Sequence, residues 1–287
     1  MKNKTVLITG ATSGIGKQTA LALAKLGAHV IITGRSQSSR GSAVAEIKEA
    51  SGNPNIDLLI GDLSAQANVH SLAGQFKARY ERLNILINNA GLAASNRELT
   101  VDGIESNFAV NVVAPFLLTH LLMDSLKAGI SARVITLMGG DVPAKLDMDN
   151  LQSERSFDRL NSYSQSKLAM MVMMVEFAQR AQGVTMNVCY PGQASTNMTR
   201  SVTAEMLPGF MRFAFPLFKL MTRPDGGKSA AKASRSSVYL ASSKDVEGVS
   251  GKYFDTNNKI ADWPPAVLNT ATRERLWSIV ERLSQVK

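Results

Sequence analysis

The chain has 287 residues, 45% of them hydrophobic and 19% charged, which suits one large α/β core and excludes a disordered, collagen-like or coiled-coil protein. Its net charge of +9 comes from Lys and Arg scattered singly, so no nucleic-acid partner is expected. No stretch approaches the ~20 consecutive apolar residues of a membrane span. The only cysteine, Cys189, has no partner for an internal disulfide, and a cytoplasmic location is expected.

In chain order, short and almost continuously apolar runs alternate with helix-like segments. Residues 5–9 predict the first strand, so early in the chain that no targeting peptide is expected before it. A turn with Gly10, Gly14 and Gly16 follows. Ile15, Thr19, Ala22, Leu23 and Leu26 then keep one helical face, with Gly27 as its stop. Further strands are predicted at 28–33, 55–60, 83–88, 132–137, 185–189 and 251–255. Leu276, Val280 and Leu283 mark a final amphipathic helix. The pattern predicts an α/β fold: a single doubly wound, Rossmann-type domain over residues 1–287, with a mostly parallel seven-stranded sheet.

The glycine-rich turn between a strand and a helix suits a dinucleotide. Glycine lets backbone approach the pyrophosphate, and the helix N-terminus offers unpaired N–H groups and a positive dipole. Thr12 and Ser13 could add hydroxyl donors. After the second strand comes Arg35, where an acidic residue would bind a free ribose hydroxyl. An arginine suits the 2′-phosphate of NADP(H), with Arg40 or Lys17 as helpers. Asp62 could accept from an adenine amino group, and the turn of Asn88, Asn89, Ala90 and Gly91 could line the cofactor. Tyr163 and Lys167 stand one helical turn apart, and the lysine charge is expected to lower the phenol's pKa.

Five features stand in one order: Thr9 to Gly16, Asn88 to Gly91, Asn111, Tyr163-x-x-x-Lys167, and Pro191-Gly192 followed by Thr196. Together they resemble the classical branch of the short-chain dehydrogenase/reductase family. The stretches 14–17, 111–119 and 249–253, and the long gap before Tyr163 that contains Asn150, Leu151 and Gln152, look most like the retinol-dehydrogenase-like group. The resemblance implies that Gly10, Thr12, Ser13, Gly14, Ile15, Gly16, Arg35, Asp62, Leu63, Asn89, Ala90 and Gly91 bind NADP(H). It also implies that Pro191, Gly192 and Thr196 seat the nicotinamide. Lys167 would grip the nicotinamide ribose, Asn111 would hold a relay water, and Tyr163 would exchange a proton with the substrate oxygen. A homodimer or homotetramer is implied, with the helices after Ala109 and around Leu168 at its interface.

One position departs from the family. Its catalytic serine would fall on Gly139, or on Met138 if the register slips by one. Thr136 and Ser162 are alternative hydroxyls, and a bound water or a substrate hydroxyl could also fill the gap. Losing one donor to a developing oxyanion costs roughly 3 kcal/mol. The expected function is therefore carbonyl–hydroxyl interconversion on a small, apolar molecule. The rival is an NADP(H)-binding protein of the same fold with a non-redox or regulatory role. Residues 195–223, with Phe210, Phe213, Phe215 and Phe218 among Arg212 and Lys219, read as a lid over a lipophilic substrate or as a membrane-surface patch. His29, His70 and His120 lack metal-ligand spacing, and the methionines at 170–174 read as core or subunit interface.

Overall fold

Residues that alternate between two hydrophobic cores explain why the strands carry no polar face. Leu7, Ile31, Leu86 and Val134 point into one core. Val6, Ile8, Val30, Ile32, Ile85, Ile87 and Ile135 point into the other. A strand covered on both sides buries all its side chains, and a parallel sheet needs crossover helices that supply such cover. The computed structural model describes residues 1–35, 40–139, 142–194, 213, 215–216, 219, 222–223 and 225–286, with the side chains of residues 40 and 41 outside that set.

The strands are β1 (Thr5–Ile8), β2 (His29–Gly34), β3 (Ile56–Ile60), β4 (Ile85–Asn88), β5 (Arg133–Leu137), β6 (Thr185–Cys189), β7 (Lys252–Phe254) and β8 (Ile260–Ala261). They form one sheet in the order β3-β2-β1-β4-β5-β6-β7-β8. All pairings are parallel except β7 with β8. The doubly wound α/β expectation is correct, and β8 is one strand more than the seven expected. Its two residues, one of them the exposed Ile260, are too short to carry a period. The order reverses between β1 and β4, which places the ligand crevice at their carboxyl ends.

Helix α1 (Gly14–Lys25) buries Gly16, Thr19, Ala20, Leu23 and Ala24. The buried stripe is thus rotated from the expected one, and Leu26 is exposed. The helix stops where expected, with Gly27 at φ +84°. Helices α2 (Arg40–Ser51) and α3 (Gln66–Lys77) follow β2 and β3. After β4 the chain forms a short α4 (Ser106–Phe108), a π-helical turn (Ala109–Val113) and α5 (Ala114–Leu121) without a break, then α6 (Met123–Lys127). Helix α7 (Arg159–Arg180) lies between β5 and β6, with Met170, Met171, Met173 and Met174 all in the core.

Among the described residues, α8 (Lys228–Ala233), α9 (Arg235–Ser242), α10 (Pro265–Leu268) and α11 (Thr270–Ser284) complete the fold. Helix α11 buries Leu276 and Val280, and it seals α5 and α7. The Trp277 ring meets Phe116 and Phe177 edge-on at 5.1 and 5.0 Å. The Arg180 guanidinium lies 4.2 Å from the Trp277 ring centre. Arg273 and Arg180 both pair with the buried carboxylate of Glu176. Helix α11 thus covers the part of α5 and α7 that carries Phe116 and Phe177. No helix among the described residues is long and apolar enough to cross a membrane.

Candidate active site

The crevice is built from strand ends. At the end of β1, the Thr9 hydroxyl accepts from the amides of Asn89 and Ala90, both at 3.0 Å. The Asn89 side chain donates back to the carbonyls of Thr9 and Gly10 at 2.8 and 3.2 Å. These bonds lock the turn after β1 to the turn after β4. Gly10 and Gly14 adopt φ of +63° and +57°. At Gly16 the reason for glycine is contact: a Cβ would lie 2.4 Å from Asn89 Nδ2 and 2.9 Å from Ala11 Cα. Asn89 thus serves as a strut between the turns, a role that the sequence did not single out for it or for Thr9.

Helix α1 starts beside this turn with no acidic residue in its first turn, and Ser13, at its N-cap, makes no capping bond with its side chain. Ile15 packs against the core, and Thr12 touches the end of β2 at Gly34. The residues present fit a pyrophosphate, through helix amides, a positive dipole and an uncommitted hydroxyl. Arg35 is exposed just beyond β2, with no ion-pair partner among the described residues. Of the possible helpers, Lys17 is paired with Glu46 of α2, and the Arg40 side chain is outside the described residues. Asp62 closes a turn by accepting from the Ser64 amide at 3.0 Å. Leu63 and Ala90 line a small cavity, and Gly91 is half-buried nearby. Pro191 is buried, and Gly192 has φ +80°. Thr196 and most of the expected lid lie outside the described residues.

Tyr163 and Lys167 sit near the start of α7, where Asp158 caps the helix by accepting from the Asn161 amide at 2.8 Å. Lys167 is buried, and its Nζ lies 3.5 Å from the Leu137 carbonyl and 5.8 Å from the centre of the Tyr163 ring. Burial pulls the Lys167 ammonium down to about 8. Burial, with Tyr190 adding, pushes the Tyr163 phenol up to about 12. The phenol is thus raised rather than lowered as expected, and desolvation, which disfavours the charged form of both groups, is the main cause.

A Cβ built on Gly139 would lie 2.7 Å from Tyr163 Oη, whereas Met138 is buried in the core. Residue 139 is the position that faces the phenol. Thr136 and Ser162 are the alternative hydroxyls. Both are buried, and they accept from the amides of Asn88 and Asn107 at 3.4 and 3.0 Å. Asn111 lies in the π-helical turn, a feature frequent at functional sites. Its Oδ1 accepts from the Leu92 amide at 2.8 Å, and its Nδ2 donates to the Leu92 carbonyl at 2.8 Å and to Ser166 Oγ at 2.9 Å. A cavity of about 10 Å³ is bounded by Asn88, Asn111, Thr136, Leu137 and Lys167, among others. That is about the size of one water probe. Asn88 Oδ1 is buried without a protein partner. Cys189 is buried, and its thiol is pushed up to about 12, as suits a core residue.

Comparison with known proteins bears on the family and the fold. The family model described as short chain dehydrogenase matches residues 4–207. Retinol dehydrogenase 13 of Mus musculus is 37% identical over 286 residues, covering 98% of this chain and 83% of that protein. Polyprenol dehydrogenase of Homo sapiens is 36% identical over 291 residues, covering 96% and 83%. An uncharacterized protein from Mycobacterium paratuberculosis superposes with a TM-score of 0.76 at 23% identity, covering 99% of this chain and 94% of that one. A short chain dehydrogenase from Shigella flexneri, complexed with NADP, gives 0.66 at 23% identity, covering 90% and 98%. At such identity the two structures bear on the fold alone.

Proposed function

The chain belongs to the short chain dehydrogenase family, beside the retinol dehydrogenases, and from that premise we propose that it uses NADP(H) to interconvert a carbonyl and a hydroxyl group on an apolar molecule, with Tyr163 as proton donor and acceptor. The coarser statement, an oxidoreductase acting on alcohols or carbonyls, follows from the family and its relatives. The observation that carries the finer one is the meeting of Tyr163, Lys167 and the end of β5 at Gly139 in one crevice.

Gly10, Ser13 and the α1 amides would hold the pyrophosphate, Arg35 the 2′-phosphate, and Lys167 the nicotinamide ribose. Support for NADP(H) comes from Arg35, exposed just beyond the end of β2. When bound, the reduced cofactor supplies a hydride to the substrate carbon. Tyr163 keeps its proton at neutral pH, because its pKa is pushed up to about 12. In the reductive direction it would protonate the substrate oxygen as charge builds there. Lys167, at about 8, still carries most of its charge at pH 7 and would help to draw the proton across. A water between Asn111 and Lys167 would satisfy Asn88 Oδ1 and link the site to a proton source.

Gly139 leaves Tyr163 as the hydroxyl donor to the substrate oxygen, which suits carbonyls that need little further activation. It also favours the rival, a cofactor-binding protein without redox turnover. NADPH consumption over a panel of apolar aldehydes and ketones separates the two. Turnover that is lost in Tyr163→Phe supports the oxidoreductase. NADPH binding without turnover on any member, in both proteins, supports the rival.

A further inference from the structure

Two rungs join the loop after β4 to the helix that carries the acid. Asn111 forms the inner rung, from Leu92 to Ser166, and Ser166 Oγ donates onward to the Tyr163 carbonyl at 2.7 Å. Asn107, one turn earlier, forms the outer rung. Its Oδ1 accepts from the Ala94 amide at 2.8 Å, and its Nδ2 donates to Ser162 Oγ at 3.0 Å. The two serines stand at the positions just before Tyr163 and Lys167. Asn107 is fully buried, and its helical turn is fixed by Glu105, whose carboxylate accepts from the Phe108 amide at 2.9 Å.

We propose that Asn107 and Ser162 are positioning residues: their bond holds the start of α7, and with it Tyr163, at a set distance from the loop that lines the cofactor crevice. The argument is one of reach. Ser162 and Tyr163 are adjacent, so a shift of the helix start carries the phenol with it. The Asn111 rung fixes the helix one turn further on, at Ser166. Two points are needed to fix the direction of a rod, and the outer rung supplies the second. The inference rests on Tyr163 being the proton donor.

The test compares Ser162→Ala, Ser162→Thr and Asn107→Ala with Tyr163→Phe. It reads kcat, KM, NADPH affinity by fluorescence titration, and thermal melting. Ser162→Ala removes one acceptor and leaves the rest of the fold's hydrogen bonds intact, so it remains informative if Asn107→Ala fails to fold. A small displacement of a reacting group costs about tenfold to a hundredfold in rate. Ser162→Ala should therefore lose about tenfold or more in kcat, with KM and NADPH affinity within about threefold. Ser162→Thr, which keeps the hydroxyl, should restore the rate. Lowered melting with kcat unchanged in Ser162→Ala would overturn the inference, since a merely structural bond behaves that way. A wild-type rate in Tyr163→Phe would instead remove the reading beneath it.

Discussion

Adding a side chain at Gly139 tests the crevice most directly. The glycine has no left-handed φ, so its backbone accepts any residue and the cost of substitution is steric. A Cβ there would stand 2.7 Å from Tyr163 Oη. An ordinary carbon–oxygen contact is about 3.3 Å, so the phenol would have to retreat by roughly 0.6 Å. A misplacement of 1 Å costs about a hundredfold in rate, so this retreat should cost about tenfold, or about 1.4 kcal/mol of transition-state stabilisation. Gly139→Ala should therefore lower kcat about tenfold and leave NADPH affinity unchanged. Gly139→Ser brings the same carbon together with a hydroxyl that could return a hundredfold if well aimed. That return requires the phenol and the new hydroxyl to meet one substrate oxygen together, an alignment that the serine's own Cβ displaces, so the serine variant should be no faster than wild type. Steady-state NADPH oxidation with an apolar aldehyde measures both variants. A tenfold or larger gain in Gly139→Ser would refute the steric account, because it would mean that the glycine costs the enzyme a donor and gives the phenol nothing.

Arg35→Ala should weaken NADPH by about thirtyfold, the loss of one charge-assisted contact of about 2 kcal/mol, and leave NADH almost unchanged. Equal losses for both, measured by fluorescence titration, would remove Arg35 as the selector. Lys167→Met should abolish turnover yet stabilise the fold at pH 7. The folded pKa of Lys167 is depressed to about 8 from an ordinary 10.5, so its folding penalty is full below pH 8 and disappears as pH rises through 10.5. The gain should be about 1–3 kcal/mol in urea melts at pH 7 and close to zero near pH 11; a destabilised variant at pH 7 would contradict this. Carbonyl reduction by wild type should fall as pH rises through about 8, where Lys167 loses its proton. A flat profile from pH 7 to 9 would argue against a role for its charge. Trp277→Ala should cost roughly 3–5 kcal/mol and Trp277→Phe much less. The Trp277 N–H is buried without a partner, so losing it relieves part of the cost. Similar melting temperatures for the two variants would contradict the packing account.

Seven strands and the glycine turn were legible because each rests on local signals, an apolar run or a residue with one conformational use. The α1 face was misjudged at Leu26 because its helix ends one residue earlier, at Lys25. Strand β8 is too short for any period to register. The chemistry of the site was legible as residue types, while its energetics were not. The Lys167 charge was expected to lower the Tyr163 pKa, but spacing along a helix says nothing of how much water the fold removes. Desolvation is a property of the finished core, and it sets the directions of both pKa shifts. Asn107 had a signal in plain view. It precedes Asn111 by four residues, as Ser162 precedes Ser166 by four, and each serine precedes one member of the Tyr163–Lys167 pair. That register has meaning only once the two helices are known to face each other.

Helix α11 places the last described stretch of the chain over the rings of Phe116 and Phe177. Synthesis proceeds from the N-terminus at about 5–20 residues per second, and every strand is complete before α11 is made. Through that interval the apolar side of α5 and α7 stays open to water. A nascent chain halted before Thr270 would therefore display an aromatic surface that the finished protein hides, and it would be a natural client for a chaperone. The side of the core between α5 and α7 therefore closes only once α11 has left the ribosome.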